Sequence, residues 1–330
     1  MNPIVIREFF GILRMPRALA TIVVLAAAFA LLVLARWPTE GLVDLSGAQS
    51  RQVFRVYAYG LLGGILLLAP AVPATSIVRE RIKGTLALLL NSPMSASRIY
   101  FGKLGGIVLF TAILLLTSLP ASAACYAMGG IDLQRDLGAL YLTLTILAVQ
   151  CIALGLFVSS YAATPDSAVR LTYGLVLAVC FAPLAPNYLL HGQPGIASVA
   201  AEWLRSVSPI PVIMQLVGHG AAGSQGLMET RSSVLQFVFM SLPLTLLVIG
   251  ATIRRLNFRL YDRSRSQGKI TEEQPLVVRM MRRLVFLVDP QRRKPGIPFF
   301  MNPVMVKEFR TRRFGRFHWL LRLISILARA

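Results

Sequence analysis

The chain has 330 residues, 55% of them hydrophobic and only 15% charged, with a formal net charge of +20. That composition does not describe a soluble globule. A membrane crossing needs about twenty apolar residues, and six runs qualify, near 18–35, 56–78, 104–128, 139–161, 171–190 and 232–253. An even number of crossings puts both ends on one side, and that side carries 28 of the 34 Lys/Arg but 8 of the 14 Asp/Glu. The excess of basic residues on one side places both termini in the cytoplasm. The same distribution turns the positive charge toward anionic lipid headgroups and away from nucleic acid. The expected fold is an all-α membrane protein with six transmembrane helices and cytoplasmic N- and C-termini.

Residues 1–17 come first. Val5, Phe9, Ile12 and Leu13 recur at helical spacing among Arg7, Arg14 and Arg17. This reads either as an amphipathic helix lying at the membrane interface or as a basic flank that orients the first span. The run 18–35 reads as a retained anchor, not a cleaved leader. It is longer than a usual signal core and is followed by Arg36-Trp37-Pro38, with no small-x-small cleavage pattern. The second span carries Pro70 and Pro73 near its end, which predict a kink. Such a kink serves either as a hinge or as a static bend.

The stretch Ser76–Lys103 is too structured for a plain connector. Arg79, Glu80, Arg81 and Lys83 form a charge cluster; Gly84-Thr85 follows, then the apolar run Leu86–Leu90. Asn91-Ser92-Pro93 breaks the helix, because proline lacks an N–H and restricts the residue before it. A second short polar helix is expected over Ser95–Tyr100, leading to Gly102-Lys103 and the third span. Glu80-Arg81-x-Lys83-Gly84-Thr85-Leu86-x-Leu88-Leu89-Leu90-x-Ser92-Pro93 resembles the first cytoplasmic loop of type-2 permeases of ABC (ATP-binding-cassette) transporters. The usual pattern has a second acidic residue where this chain has Ile82. The resemblance implies that the segment is a coupling helix seated in a cleft of a separate ABC ATPase subunit. Arg79, Glu80, Arg81 and Lys83 would make charged contacts, Gly84 and Thr85 would allow close approach, and Leu86, Leu89, Leu90 and Pro93 would shape the helix and its seat. It also implies residence in the bacterial inner membrane, a second permease half, and ATP and Mg bound by the partner, with no cofactor bound by this chain.

With that family in view, Leu45-Ser46-Gly47-Ala48-Gln49 is a decoy. It is close to the Leu-Ser-Gly-Gly-Gln signature of ABC ATPases, which works at a helix N-terminus facing a phosphate, but here it lies on the wrong side of the membrane. The sequence contains no Gly-x-x-x-x-Gly-Lys-Ser/Thr. ATP hydrolysis is therefore expected of a partner, and the chain is not expected to be an enzyme.

Spans three to six contain no Asp, Glu, Lys, Arg or His within their apolar runs. Ion-coupled carriers and intramembrane hydrolases need ionisable groups at depth, so both classes are disfavoured. Gln150 and Asn187 are the notable polar side chains there. Cys125, Cys151 and Cys180 all fall inside apolar runs and imply packing, not disulfides. The three histidines, His191, His219 and His318, have no metal-ligand spacing. Thr164–Arg170 is a short cytoplasmic connector. The connector 191–231 is long and external, with an amphipathic piece Ile196–Val207, then Ser208-Pro209-Ile210-Pro211, then apolar Val212–Val217. It is either a flexible surface loop or a re-entrant element; for the latter the resemblance implies an external gate, with Trp203, Pro209 and Pro211 as its candidates.

Residues 254–300 form a basic cytoplasmic linker. Then Met1-Asn2-Pro3-Ile4-Val5-Ile6-Arg7-Glu8-Phe9 returns as Met301-Asn302-Pro303-Val304-Met305-Val306-Lys307-Glu308-Phe309, an echo at an offset of 300 with five identities. Residues 301–330 therefore read as the probable start of a second half-permease; otherwise they are a second surface helix. The whole implies the permease of an ATP-driven ABC transporter, with export favoured over import only by the resemblance. The alternative is a non-transporting membrane scaffold or mechanical transmitter that recruits an ATPase. The substrate has no signature in the residues.

Overall fold

The computed structural model describes residues 3–35, 48–90, 94–190, 196–218 and 227–265. Among the described residues every regular element is helical, and six helical stretches are long and apolar enough to cross a membrane. Such a fold follows from the solvent. In hydrocarbon each backbone N–H and C=O must find a partner within the protein, and a helix supplies it locally.

The first helix, α1 (Pro3–Leu13), buries Ile4 and Ile12 and is too short to span. After a bend at Arg14–Met15, α2 (Pro16–Ala35) forms the first span. Pro16 opens it at the position where a missing N–H costs nothing. The second span consists of two helices, α3 (Ala48–Leu68) and α4 (Ala71–Ile82). The interruption falls at Ala69–Pro70, where Pro70 cannot donate to the preceding turn. Tyr173 repairs part of that gap, its Oη donating to the carbonyl of Leu67 at 2.5 Å. The segment α5 (Thr85–Leu90) is a single short helix.

The third span is α6 (Ala96–Leu116) followed by α7 (Leu119–Ala127). Its second polar helix over Ser95–Tyr100 does not exist as a separate element. Ser95 accepts from the Arg98 N–H and caps α6, so residues 96–100 are simply its first turns. The break at Thr117–Ser118, ahead of Pro120, was not foreseen. There Tyr57 Oη donates to the Ser118 carbonyl at 2.9 Å, and Tyr141 Oη lies 2.7 Å from both Tyr57 Oη and Ser118 Oγ. A one-turn π-helical segment, Leu133–Gly138, leads into the fourth span, α8 (Ala139–Tyr161). The next connector is shorter than expected. Thr164 and Ser167 form a capping box, so α9 (Pro165–Phe181) begins inside the region read as a loop. The chain continues as α10 (Leu184–Leu189), α11 (Ile196–Arg205) and α12 (Pro209–Leu216). The sixth span, α13 (Leu227–Arg265), runs past residue 253 into the stretch read as linker. Residues 266–300 and the echo at 301–330 lie outside the described residues.

The post of the bundle is α8, with fifteen of its 23 residues buried. Lipid tails are as apolar as leucine, so membrane helices associate through close packing and polar contacts instead of a hydrophobic drive. The crossing of α8 with α4 uses both. A Cβ on Gly155 would stand 2.8 Å from Pro73 Cγ and 3.2 Å from the Ala74 nitrogen. Four residues on, Ser159 Oγ accepts from the N–H groups of Ile77 and Val78 at 3.1 and 3.2 Å. Gly155-x-x-x-Ser159 therefore lets the kinked half of the second span lie directly on the fourth. Gly155→Ala is expected to lower the thermal unfolding midpoint in detergent, in line with the cost of about 1–3 kcal/mol for overpacking. Gly250→Ala, where a Cβ would meet nothing within 4 Å, should leave it unchanged.

Candidate coupling site

The site is built where α4 ends. Lys83 closes the helix, its N–H donating to the Arg79 carbonyl at 3.0 Å, and the Gly84 N–H donates to the Arg81 carbonyl at 3.2 Å. Gly84 takes φ +76°, the left-handed conformation that a residue with a Cβ avoids. The chain reverses there and enters α5. Leu86 turns inward, 2% exposed, among Ile12, Ile77, Tyr100 and Ile107. Leu89 is half-buried. Ile82 (61% exposed) and Leu88 (72%) turn outward, with Arg79, Lys83, Gly84 and Thr85 also at the surface. Leu90 closes α5, and Pro93 lies outside the described residues.

Charged contacts expected of Glu80 and Arg81 across an interface are made within the chain. Glu80 Oε1 lies 2.8 Å from both Lys103 Nζ and Arg7 Nη2. Glu8 Oε1 lies 3.0 Å from the same Lys103 Nζ and 2.7 Å from Arg7. Lys103 Nζ also donates to Ser76 Oγ at 3.3 Å. An ammonium has three protons, and here three acceptors meet them. The Lys103 side chain is 3% exposed, and two cations face two carboxylates with no net charge left over. Removing one partner from such a buried set costs about 3–5 kcal/mol, because the other charges stay behind without compensation.

Glycine sets the distance. A Cβ on Gly106 would stand 2.7 Å from Glu8 Cβ and 3.1 Å from the Val5 carbonyl oxygen. The backbones of α1 and α6 therefore touch, which carries Glu8 over Lys103. Of the two readings of the N-terminal stretch, the helix is the one found, and it is docked on the bundle through a charged contact.

Arg81 points the other way. Its Nη1 donates to the Ala162 carbonyl at 3.0 Å and its Nη2 to the Ser160 carbonyl at 2.6 Å. Arg255 Nε, from α13, donates to the same Ser160 oxygen at 3.2 Å, and its guanidinium stacks 3.3 Å from the Tyr161 ring centroid. The last carbonyls of a helix lack partners and carry the negative end of its dipole. Two guanidinium groups satisfy them at the end of α8.

Pro70 and Pro73 are buried at the α3–α4 break, Pro73 against Gly155. Trp203, Pro209 and Pro211 are not gathered into one cluster. Trp203 lines a groove of ≈ 530 Å³ with Leu235, Phe239 and Pro243 of α13. Pro209 and Pro211 are buried in the first turn of α12, which packs on α8 and is held by Ser208 Oγ donating to the Cys180 carbonyl at 2.6 Å. Residues 196–205 and 209–216 are thus helical, not a loose surface loop. Among the described residues no group of His, Cys, Asp and Glu could hold a metal ion.

A family model described as ABC-2 family transporter protein matches residues 3–263. The chain belongs to the ABC-2 transporter family. No curated protein matches it. The ABC-2 match covers every described helix almost to the end of α13, including α1; it supports a membrane permease role and implies an ATPase partner in an ABC transporter. Sequence reading of this ABC-2 permease gave no role to Glu8, Lys103 and Arg255, Lys103 entering only as the end of the loop motif. A signal existed for the first two, since Glu8 is the lone acid in residues 1–39 and Lys103 stands among Gly102, Gly105 and Gly106. The carbonyls of Ser160 and Ala162 leave no trace in a sequence.

The network has a pH signature. Burial alone would push the Glu8 carboxyl up, but the Lys103 charge and the hydrogen bonds from Arg7 and Lys103 outweigh it and hold the carboxyl below its ordinary value of 4.5. A lowered carboxyl stabilises the fold fully above that ordinary value and loses the contribution as pH falls through the lower, folded one. Arg7 is likewise held charged, above its ordinary value despite burial, through hydrogen bonds and charge from Glu8 and Glu80; a raised base loses its contribution only on the alkaline side, so the acid window belongs to Glu8. The unfolding midpoint of the wild type should fall on acidification below about pH 4.5. Glu8→Gln should start lower at pH 7 and show a shallower acid dependence, read from thermal melts across a pH series.

Proposed function

We propose that this ABC-2 permease is the translocation subunit of an ATP-driven exporter, lying in the bacterial inner membrane with both termini in the cytoplasm. The observation that carries the coupling reading is the elbow at Gly84. Glu80, Arg81 and Leu86 hold it from inside, while Ile82, Lys83, Thr85 and Leu88 are presented outward. A knob with an apolar tip and a cationic rim suits a cleft in a soluble ATPase, which would bind ATP and Mg. The basic residues on the same end support the orientation, and Arg7 and Arg14 favour anionic headgroups. A second permease half completes the pathway, since fifteen of the 23 residues of α8 are buried within one copy. Pro70 and Pro73 are the proposed hinge of the second span, and Trp203 with α12 the proposed external gate.

A second reading, a membrane transmitter that recruits an ATPase without translocating anything, is favoured by the same burial of α8. Conformational response without flux through a pathway between two copies would select it. The first experiment is co-purification with an ABC ATPase from the same genome. Wild type is expected to retain the ATPase, and Lys83→Glu/Leu88→Asp to reduce retention at least about tenfold with an unchanged melting profile. Failure of the wild type to retain any such ATPase overturns the reading.

A further inference from the structure

The third span breaks between α6 and α7, and the repair of that break stops one carbonyl short. The last four carbonyls of a helix have no partner within it. At the end of α6 the Ile113 carbonyl accepts from the Thr117 N–H at 2.9 Å, the Leu114 carbonyl from Thr117 Oγ1 at 2.7 Å, and the Leu115 carbonyl from the Ser118 N–H at 3.1 Å. The donor for the Leu116 carbonyl would be residue 120, which is proline and has no N–H. Among the described residues no hydrogen bond to that carbonyl is found. An acceptor left open within hydrocarbon is costly.

Leu116 lines a groove of ≈ 250 Å³ between α6 and α8. Val108 and Ile152 form its end nearer the elbow, and Leu119 and Tyr141 its far end, because α6 runs away from the elbow and α8 runs back to meet Arg81. None of the described residues that line it is charged. Thr111 and Thr145 stand on its wall, but each spends its hydroxyl proton on its own helix, on the Ile107 and Tyr141 carbonyls at 3.0 and 2.7 Å. At the far end Tyr57 gives its proton to the Ser118 carbonyl, and Ser118 gives its own to the Leu115 carbonyl. Tyr141 Oη stands 2.7 Å from both of those hydroxyls and has a single proton for the two. The groove is apolar along its length, and its far end is rich in acceptors and short of donors.

We propose that this groove binds a neutral amphiphile drawn from the leaflet far from the elbow, an apolar chain whose hydroxyl donates to the Leu116 carbonyl. Each part of the ligand follows from the wall it meets. A dry cavity of about 150 Å³ is enough to hold benzene, so this one accepts a run of methylenes. The missing partner at the far end is a donor, which a hydroxyl supplies. A phosphate or carboxylate would find no cation and no spare O–H on this wall. In the far leaflet the polar end of a lipid points away from the elbow, as the acceptor-rich end of the groove does. Lipid tails are as apolar as the groove, so the hydrogen bond, not the chain, selects the ligand. The site is independent of the reading of 79–90 as the segment that meets an ATPase.

The test compares two probes that differ in one proton. The full chain is placed in nanodiscs of phosphatidylethanolamine and phosphatidylglycerol. It is photolabelled with hexadecanol carrying a mid-chain diazirine, or with the methyl ether of the same alcohol, which cannot donate. In the wild type the alcohol is expected to label 108–119 and 141–152 at least about threefold more than the ether, the discrimination of one hydrogen bond. Unlabelled hexadecanol should compete, and palmitate should not. Ala112 is half-buried on the groove wall, and Ala112→Phe should abolish the preference by filling the space. Ala112→Leu covers the case in which the larger side chain fails to fold. Val24→Phe, on the exposed side of α2, should leave labelling unchanged. Pro120→Ala, which returns an N–H toward the Leu116 carbonyl, should bring alcohol and ether level while labelling persists. Equal labelling by alcohol and ether in the wild type overturns the proposal and leaves a groove filled by any acyl chain. Labelling that survives both substitutions at Ala112 with the preference intact overturns it as well.

Discussion

A lysine ammonium at the membrane edge, almost fully enclosed, needs three acceptors and compensating charge, and Lys103 finds both at once. Much of the arrangement around it follows from that demand. Glu8 has to come from another helix, so α1 must lie on α6. That requires a residue without a side chain beneath it, and Gly106 provides the place. Glu80 has to arrive from α4, which fixes where the second span ends and where the Gly84 turn begins. The ion cluster, the glycine contact and the coupling elbow are one construction.

The same logic of close approach holds the rest of the bundle. Within a bilayer, apolar surface alone does not choose partners, because lipid serves as well as leucine. Specific pairing falls to glycine contacts, hydroxyls and carbonyl caps. Gly155 under Pro73, Ser159 beneath the Ile77 and Val78 N–H groups, Tyr173 on the Leu67 carbonyl and Arg81 on the end of α8 are of this kind. Several sit at places where proline or a helix end has left a backbone group open. Interruptions in the spans are thus repaired by neighbouring helices, and the repairs tie those helices together.

The division of labour in Arg79–Leu90 is sharper than a motif conveys. Its most charged members do different work. Glu80 and Arg81 hold the segment in the bundle, and Arg79 and Lys83 remain at the surface beside Ile82 and Leu88. A knob fixed by buried ionic contacts can present an apolar tip without collapsing onto its own helices. That is the property a coupling element needs.

The sequence by itself determined the number of spans, the all-helical class, the kink at Pro70 and the turn at Gly84 after the charged helix end. Each of these depends on local composition: the length of an apolar run, a missing proline N–H, a glycine after a charged helix end. The periodicity of Val5, Phe9 and Ile12 offered the N-terminal helix as one of two readings, and the structure chose it. The sequence did not reveal which way Glu80 and Arg81 face, because both directions are compatible with the same string of letters. Tertiary structure decided that, by bringing Arg7 from 73 residues away and Lys103 from 23 residues away to one carboxylate, and two backbone carbonyls at the end of α8 to one guanidinium. Backbone acceptors belong to every residue alike and long-range charge pairing leaves no spacing, so neither is written in any local pattern.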